Sequence, residues 1–553
     1  MAFPTLKTAN RKIAMRFWSF SLLSSLGLSL VLHGASAQTV VTPFPTSPPD
    51  PGNMFTRMFP ELASFAEQTD SARRAVQLLG AADGMLNAED NLTDPVQSIL
   101  NPAAFSPHNA DNPDVTAGVT FLGQFLDHDL SLDKDSPLNK NVSPEKILNF
   151  RTAAFDLDSV YAGGPRESPQ FYDTSSGRIK FIVQAIPGSS AFSRHGAVRN
   201  DVPRDSAGNA IIADSRNDEN IIVSQLHLAM LSFHNEVTDY LAGQPAYQQA
   251  SADEIFKDAR QLVTWHYQWI VLHEFLPKII GQDRVDQLLA NGLKYYQPKH
   301  RSSRVRANDG QDRALLPIEF AVAAYRFGHS QVRPSYRVNF GPTGGSPFFA
   351  FVFDDNLNPY ASDPDDLRGG KRAPRRFVDW QTFFDFGDNN VRPNKRIDTK
   401  LSSVLLTLPG AKAPAPGLPP DGLQSLPART LTRHVNFGLP SGQEVAKKMG
   451  LPALTPAQLS DLAPYTLDSR HTLDTSTPLF FYILKEAEVM ESGLRLGPVG
   501  AGIVGEVFVG MLKADESSYL SAKPDWKPTL PSAQSGRFMM TDLLTFAGVV
   551  PPL

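Results

Sequence analysis

The sequence contains no cysteine, and this absence excludes three kinds of chemistry at once. Disulfide bonds, thiolate metal ligands and cysteine nucleophiles all require a thiol. An excess of basic residues is also missing, because 52 lysine and arginine residues stand against 57 aspartate and glutamate residues and the formal net charge is -5. The chain therefore lacks the positive charge on which nucleic-acid binding depends, and we expect no nucleic-acid partner.

Long apolar runs are almost absent as well. The exception, FWSFSLLSSLGLSLVL, follows a basic segment from Lys7 to Arg16 and ends at GASAQ, a small-residue cleavage pattern after Ala37. These features predict a secretory signal peptide over residues 1–37. A single membrane anchor is the alternative, but the run is short for a membrane span. We therefore expect a secreted or periplasmic protein with no stable membrane insertion after cleavage.

The rest of the chain divides by composition into a short leader and one long domain. Residues 38–60 are rich in proline, threonine and serine, which predicts a leader that follows the surface. Apolar residues at three- and four-residue spacing then predict helices, whereas the segment from about 335 to 425 has the composition of loops. The predicted helices cover 115–132, 219–243, 253–281 (stopped by Pro277), 315–333, 441–450, 476–490 and 497–514. Without a repeat or a sharp linker, residues 61–553 are predicted to form one mainly α domain.

The stretch GQFLDHDL places several polar side chains on a short apolar helix. At about 100° per residue, Gln124, Asp127 and His128 fall within an arc of about 100°, and Asp129 points roughly another 100° beyond. One face therefore offers an imidazole beside an amide and a carboxylate, and another face offers a lone carboxylate. A solvated acidic helix end is the alternative interpretation.

A second motif, RTAAFDLDSVY, presents oxygen donors at alternate positions. They are Thr152, the carbonyl of Ala154, Asp156 and Asp158. Such a series suits a hard cation of high coordination number such as Ca²⁺, and Asp129 could complete the set. A capped turn without a metal is the alternative.

Two further groups follow along the chain. In DSRNDEN, Arg216 and Glu219 lie three residues apart at the start of a long helix, where Asp214 or Ser215 could be the N-cap and Arg216 a surface ion pair. In AYRFGHSQVR, His329 lies on an apolar helix, which in isolation favours a buried histidine of the core.

In this order, the four groups resemble the animal-type haem peroxidase superfamily. The resemblance extends from about residue 75 to about 520 and includes GLPSGQEVA and LGPVGAGIVGEVF, which look like a bacterial-type secreted member. It implies a mainly α fold, a single large helical haem peroxidase domain with few short strands. It also implies haem b and Ca²⁺ as cofactors, and hydrogen peroxide and a small anionic or organic reductant as partners.

The resemblance assigns roles on one side of the haem to three residues. His128 would be the distal histidine, which moves a proton between the two peroxide oxygens. Gln124 would be the glutamine that holds water or a halide. Arg216 would be the distal arginine, whose charge stabilises the developing negative oxygen.

The same resemblance assigns the contacts that hold the haem. Asp127 and Glu219 match the two carboxylates that form ester bonds to haem methyl groups in mammalian members. Asn220 stands where myeloperoxidase has a methionine bonded to a haem vinyl group, so that third link is excluded.

On the other side of the haem, His329 would be the proximal iron ligand. Thr430 stands where the family has an asparagine that accepts a hydrogen bond from this histidine, a role that a hydroxyl can also fill. Arg433 falls at the position of a propionate-binding arginine, and Arg326 is typical of the peroxidase branch.

The implied function is a secreted haem peroxidase that reduces hydrogen peroxide and oxidises halide, thiocyanate or small organic donors through a ferryl state. Asp129, Thr152, Ala154, Asp156 and Asp158 match the family's calcium site, with Asp158 replacing a serine. A fatty-acid dioxygenase of the same superfamily is one alternative, but it needs a tyrosine where Arg326 stands, and Tyr325 lies one residue earlier. A non-catalytic extracellular adhesion or scaffold protein is the other, although it would need none of the site residues.

Overall fold

Helices carry most of the architecture in the computed structural model. It describes residues 53–101, 106–298, 304–306, 312–354, 356–358, 360–409, 423–467 and 472–550, which fall within one compact unit. The predicted signal peptide over 1–37 and residues 38–52 of the predicted leader lie outside the described residues. No helix of the described part combines the length and the apolar character needed to cross a bilayer.

The mainly α fold is confirmed. In the first half of the chain the helices are α1 (Asp70–Leu79), α2 (Gln97–Leu100), α3 (Gly118–Leu130), α4 (Asp158–Tyr161), α5 (Gly164–Glu167), α6 (Ile221–Ala242), α7 (Ala252–Ile270), α8 (Leu276–Ile280) and α9 (Gln282–Asn291). In the second half they are α10 (Gly328–Gln331), α11 (Leu426–Phe437), α12 (Gly442–Lys448), α13 (Leu479–Glu491), α14 (Pro498–Ala514), α15 (Tyr519–Ala522) and α16 (Met540–Phe546).

The described strands are short and form four antiparallel pairs. The pairs are β1 (Asp111–Thr116) with β8 (Pro393–Lys395), β2 (Gln184–Ala185) with β3 (Asn200–Asp201), β4 (Arg304–Arg306) with β5 (Asp312–Ala314), and β6 (Ser335–Asn339) with β7 (Phe348–Phe351). They add short two-stranded sheets to a helical core.

Helix α6 lies at the centre of that core and packs against both α3 and α7. Every residue from Ile221 to Leu231 is buried, as expected of a helix that is surrounded by protein. The helix begins at Asn220, whose side-chain oxygen accepts hydrogen bonds from the N–H groups of Ile222 and Val223. This cap fixes the start of α6 directly beside Glu219.

The predicted stop at Pro277 is wrong, because helical backbone continues to Ile280. A π-helical segment, Val271–Phe275, precedes the proline, and the N–H of Leu276 reaches back five residues to the carbonyl of Val271. The wider turn re-routes the hydrogen bonds just ahead of a residue that has no N–H to donate.

The predicted helix over 315–333 is also not continuous. It consists of a π-helical segment, Glu319–Ala323, a 3₁₀ segment, Ala324–Phe327, and then α10. Ala323 leaves helical geometry, with φ -121 and ψ -75. The chain therefore changes direction just before His329.

Two further boundaries differ from the prediction. Residues 111–116 form β1, so the helix predicted from 115 begins at Gly118. The region from 335 to 425 includes a buried hairpin, β6 with β7, in addition to loops. The glycine and proline content of the region did not indicate this hairpin.

An aromatic cluster joins these irregular segments to α14. The ring of Phe508 lies 5.8 Å from that of Phe275 and 5.3 Å from that of Tyr325, and Tyr325 stacks on Phe320 at 4.8 Å. The cluster holds the backbone on both sides of the cavity described next.

Candidate active site

A cavity of about 910 Å³ opens between α3, the turn before α6, the segment 318–332 and α11. Its walls are apolar over much of their area, with a few polar groups at defined places, which is the usual character of a cofactor or substrate site. The predicted site residues that line it are Gln124, Asp127, His128, Arg216, Glu219, Arg326, His329, Thr430 and Arg433.

Helix α3 separates its polar side chains between two environments, as the periodicity indicated. Gln124, Asp127 and His128 line the cavity. Asp129 is fully buried on another face, where it accepts hydrogen bonds from the Ser159 hydroxyl at 2.9 Å and the Tyr267 hydroxyl at 3.1 Å.

His128 is buried and neutral at physiological pH. Burial, together with the nearby Arg216 charge, lowers its pKa to about 4. Its Nδ1 lies 2.9 Å from the side-chain oxygen of Asn217, and its Nε2 has no hydrogen-bond partner among the described residues. One ring nitrogen is thus held by the protein, and the other is available to accept a proton.

Arg216 is held beside His128 by a shared carboxylate. Its guanidinium donates to both oxygens of Asp214, at 3.0 and 2.7 Å, and to the backbone carbonyl of His128 at 3.0 Å. Asp214 also accepts two hydrogen bonds from the buried Arg151, at 2.9 and 2.7 Å. Burial alone would raise the pKa of Asp214, but the two arginines hold it below its usual value.

In the DSRNDEN motif, the alternative interpretation of Arg216 as a surface ion pair is wrong. Asp214 does accept a hydrogen bond from the N–H of Arg216, as an N-cap would, but the cap belongs to a 3₁₀ turn, Ser215–Asp218. The guanidinium of Arg216 lines the cavity and does not form an ion pair with Glu219.

The two carboxylates predicted to bond a cofactor both line the cavity. Glu219 accepts a hydrogen bond from Gln124 at 3.1 Å, and Gln124 in turn accepts one from Asn220 at 3.1 Å. Burial raises the pKa of Glu219 to about 7, although Arg216 opposes the shift. Asp127 lies 3.8 Å from the guanidinium of Arg326.

His329 contributes a second imidazole to the same cavity, from α10. Burial lowers its pKa to about 3, so the ring is neutral. The contact from its outer nitrogen to the Thr430 hydroxyl, which the sequence suggested, is not formed. Nδ1 of His329 is buried and has no hydrogen-bond partner in the described part of the chain. Thr430 lies on α11 in the cavity wall.

Arg433, one helical turn from Thr430, also faces the cavity. It donates to Asp133 and to the Ser136 hydroxyl, each at 2.5 Å. Burial acts to raise the pKa of Asp133, but Arg433 outweighs it and the pKa is lowered. The carboxylate of Asp133 thus fixes the orientation of the Arg433 guanidinium without a bound anion.

Behind α3, the predicted cation ligands come together in one loop. Carboxylate oxygens of Asp129, Asp156 and Asp158 all lie within 4.8 Å of one another. The Thr152 hydroxyl donates to Asp156 at 2.7 Å, and the Thr152 N–H donates to Asp158 at 3.1 Å. Ala154 lies in the same loop.

The charges of this loop are not balanced by the protein alone. Burial and the two neighbouring carboxylates raise the pKa of Asp129 well above its usual value. Burial also raises the pKa of Asp158 to about 7, despite the guanidinium of Arg151 at 3.7 Å. One oxygen of Asp158 is buried without a partner among the described residues. A bound divalent cation would relieve this repulsion, and oxygen donors suit Ca²⁺.

Several residues that organise the site were not identified from the sequence. Asn217 contacts His128, Arg151 shares Asp214 with Arg216, and Tyr325 donates a hydrogen bond to the carbonyl of Gly123 at 3.1 Å. Only Arg151 carried a usable indication, since it is the charged first residue of the oxygen-donor motif.

The comparison with known families matches this part of the chain. Residues 134–347 match the family model described as animal haem peroxidase. The predicted resemblance to the animal haem peroxidases is confirmed over this segment. The matched segment contains Arg216, Glu219, His329 and the loop from Thr152 to Asp158.

Individual relatives are distant. Human thyroid peroxidase is 24% identical over 212 residues, which are 35% of this chain and 20% of that protein. A Drosophila melanogaster peroxidase is 27% identical over 203 residues, 36% of this chain and 28% of that protein. The aligned parts thus span between a fifth and somewhat over a quarter of these relatives.

Solved structures of low identity also align. Peroxidase A from Dictyostelium discoideum has a TM-score of 0.48 and 16% identity, and the alignment covers 85% of this chain and 89% of that one. Oryza sativa fatty acid alpha-dioxygenase has a TM-score of 0.49 and 12% identity, over 90% of this chain and 86% of that one.

Proposed function

We propose that the protein is a haem peroxidase that reduces hydrogen peroxide to water and oxidises a halide, thiocyanate or a small organic donor. The observation that carries this proposal is the presence of two neutral imidazoles, His128 and His329, in the walls of one cavity, with Arg216 beside the first. Each cycle would take two electrons from the donor and two protons, and would convert one peroxide into two waters.

The residues around the cavity fit haem b. The space is apolar over much of its lining, as a porphyrin requires, and arginines that could meet its propionates, Arg429 and Arg433, lie in the wall. His329 would bind the iron through Nε2. When bound, haem supplies the iron whose oxidation state changes during the reaction.

The protein's own part in the reaction is proton transfer and charge stabilisation. Nε2 of His128 would take a proton from one oxygen of the peroxide and deliver it to the other oxygen, which leaves as water. Arg216 remains charged throughout and would stabilise the negative charge that develops as the O–O bond breaks. Gln124, fixed between Glu219 and Asn220, would orient water or a halide.

We further propose ester bonds from Asp127 and Glu219 to the haem. Both carboxylates line the cavity. Forming each ester would replace a C–H bond of a haem methyl group with a C–O bond to the carboxylate, a two-electron oxidation in which one hydrogen peroxide would be reduced to two waters. Extraction with acidified acetone followed by the pyridine haemochromogen spectrum tests this: haem should stay with the protein. Complete extraction would refute the ester bonds and leave the peroxidase proposal intact.

The acidic loop is proposed to bind Ca²⁺ through Asp129, Asp156, Asp158, Thr152 and the Ala154 carbonyl. Because Asp129 is the neighbour of His128 on α3, the cation would tie the loop to the helix that carries the proton-transfer group. Export by the signal peptide over residues 1–37, to a secreted or periplasmic location, completes the proposal.

The decisive experiment is His128→Ala. The variant should keep the haem absorbance and react with hydrogen peroxide about 10² to 10⁴ times more slowly, since an acid–base group contributes a factor of that order. His108→Ala is the matched control, because that imidazole is 42% exposed and does not line the cavity. An unchanged rate in His128→Ala would refute the role of His128.

The dioxygenase alternative predicts a different result with the same protein. A dioxygenase would consume oxygen when linoleate or arachidonate is added without peroxide. Against it stands Tyr325, the nearest tyrosine to the required position, whose hydroxyl is buried and donates to the Gly123 carbonyl. A scaffold protein would show neither reaction, and protein that stays colourless after haem addition would refute both enzymatic functions.

A further inference from the structure

We propose that Asn217 is a positioning residue that selects the tautomer of His128 and so leaves Nε2 free to accept the peroxide proton. The inference rests on the proposed role of His128 as the proton-transfer group. It concerns a residue that carries no charge and does not line the cavity.

The geometry begins with the 3₁₀ turn Ser215–Asp218. This turn presents two adjacent side chains to one histidine: Arg216 donates to the backbone carbonyl of His128 at 3.0 Å, and the Asn217 oxygen lies 2.9 Å from Nδ1 of its ring. Asn217 is fully buried, and its N–H donates to the carbonyl of Asp214 at 3.0 Å. The backbone and the ring of His128 are therefore both hydrogen-bonded to this one turn.

The amide group of Asn217 lies between two imidazoles. Its nitrogen is 3.1 Å from Nδ1 of His227, a fully buried residue of α6. An amide can only accept at oxygen and only donate at nitrogen. With the oxygen towards His128, that ring must carry its proton on Nδ1, and His227 must accept at its own Nδ1.

The orientation of the amide decides whether His128 can act as a base. In the orientation of the structure, Nε2 of His128 has a free electron pair. In the reversed orientation Nδ1 would accept and Nε2 would carry the proton, so that Nε2 would have no free electron pair with which to take the peroxide proton. With the amide oriented as in the structure, His227 accepts from the amide nitrogen, and the amide oxygen selects the tautomer of His128.

Three variants of the haem-loaded protein separate this role from a loss of packing. Asn217→Leu removes the acceptor, whereas Asn217→Asp keeps an oxygen that can accept from Nδ1. Asn339→Leu is the matched control, because Asn339 is also buried and hydrogen-bonded to backbone carbonyls but does not line the cavity.

The expected result is a selective loss. Asn217→Leu should slow the reaction with peroxide by roughly 10- to 100-fold, part of the factor that a positioned acid–base group supplies. It should weaken cyanide binding by a similar factor, because hydrogen cyanide must also give up its proton to His128. Asn217→Asp should stay within about 3-fold of the wild type, and so should Asn339→Leu. Wild-type kinetics in Asn217→Leu, or an equal loss in all three variants, would overturn the proposal.

A measurement on the wild type does not depend on any variant's folding. In protein labelled with ¹⁵N-histidine, the imidazole resonances that disappear in His128→Gln belong to His128. We expect their shifts to show a protonated Nδ1 and an unprotonated Nε2, and the reverse assignment would refute the proposal. Wild-type protein that binds haem but does not react with peroxide would refute the proposed function instead, whatever the tautomer.

Discussion

Replacing Asp214 with asparagine should both destabilise the protein and slow its reaction with peroxide. Asp214 is almost fully buried and accepts five hydrogen bonds, two from Arg151 and three from Arg216. Three of the five reach the same oxygen, Oδ2. In Asp214→Asn an NH₂ group replaces one carboxylate oxygen, and two guanidinium groups then lose the negative charge that they share.

The size of the effect follows from this arrangement. Breaking a buried ion pair by removing one partner costs about 3 to 5 kcal/mol, because the remaining charge is left buried. Asparagine retains one acceptor oxygen, and Arg216 keeps its hydrogen bond to the His128 carbonyl, so we expect a loss of about 3 kcal/mol. The freed guanidinium of Arg216 should also cost about 10-fold or more in the rate of peroxide reaction.

Two assays and one control test this reasoning. Urea unfolding of the haem-free variants gives the stability change, and stopped-flow mixing of the haem-loaded variants with peroxide gives the rate. Asp201→Asn is the matched control, because Asp201 is a buried aspartate shared by Arg204 and Arg372, and none of the three lines the cavity. It should lose stability but keep its rate. If Asp214→Asn keeps full stability, or if both variants lose the same rate, the argument from the shared carboxylate is refuted.

Three further predictions concern the cation, pH and the iron ligand. Chelation with EDTA should lower the thermal midpoint of the wild type, since a ligand at about 100 times its Kd stabilises the folded protein by about 2.7 kcal/mol. Asp156→Ala should abolish this response to EDTA, whereas the control Asp173→Ala, in an exposed turn, should retain it. Burial raises the pKa of Glu486 from 4.5 to about 7 even though it accepts backbone hydrogen bonds at the start of α14. Its protonated form is therefore favoured in the folded state, and the stability that this form contributes is complete below pH 4.5 and is lost as the pH rises through about 7. The contribution is at most about 3 kcal/mol. Glu486→Gln should remove this pH-dependent part of the free energy of unfolding, as measured by urea unfolding across this range. Finally, His329→Ala should lose the absorbance bands of histidine-ligated haem, and externally added imidazole should restore them; bands unchanged without imidazole would show that another residue binds the iron.

Local periodicity was sufficient to predict which polar side chains of α3 share one face and which points in another direction, because neighbouring side chains on a helix differ by a fixed angle. The alternating oxygen donors from Thr152 to Asp158 were likewise visible, since a loop that surrounds a cation takes its ligands from nearby positions. In both cases the relevant geometry is set within a few residues.

Contacts that join distant segments could not be read in this way. Whether Thr430 reaches His329 depends on how α11 packs beside the segment 319–327, and that segment is itself a π turn followed by a 3₁₀ turn rather than the regular helix that its apolar spacing predicts. Asn217 gave no indication, because an asparagine in a polar turn is common and its importance depends on two histidines elsewhere in the chain.

The hydrogen bond from Tyr325 to the carbonyl of Gly123 joins the segment that leads to His329 with the helix that carries His128. Phe275 packs against the same glycine and against Phe508, so this brace is itself supported from behind. The contacts of the polypeptide itself thus set the separation of the two cavity walls that carry the imidazoles. We expect a planar ring system to bind between these walls with little rearrangement of either one.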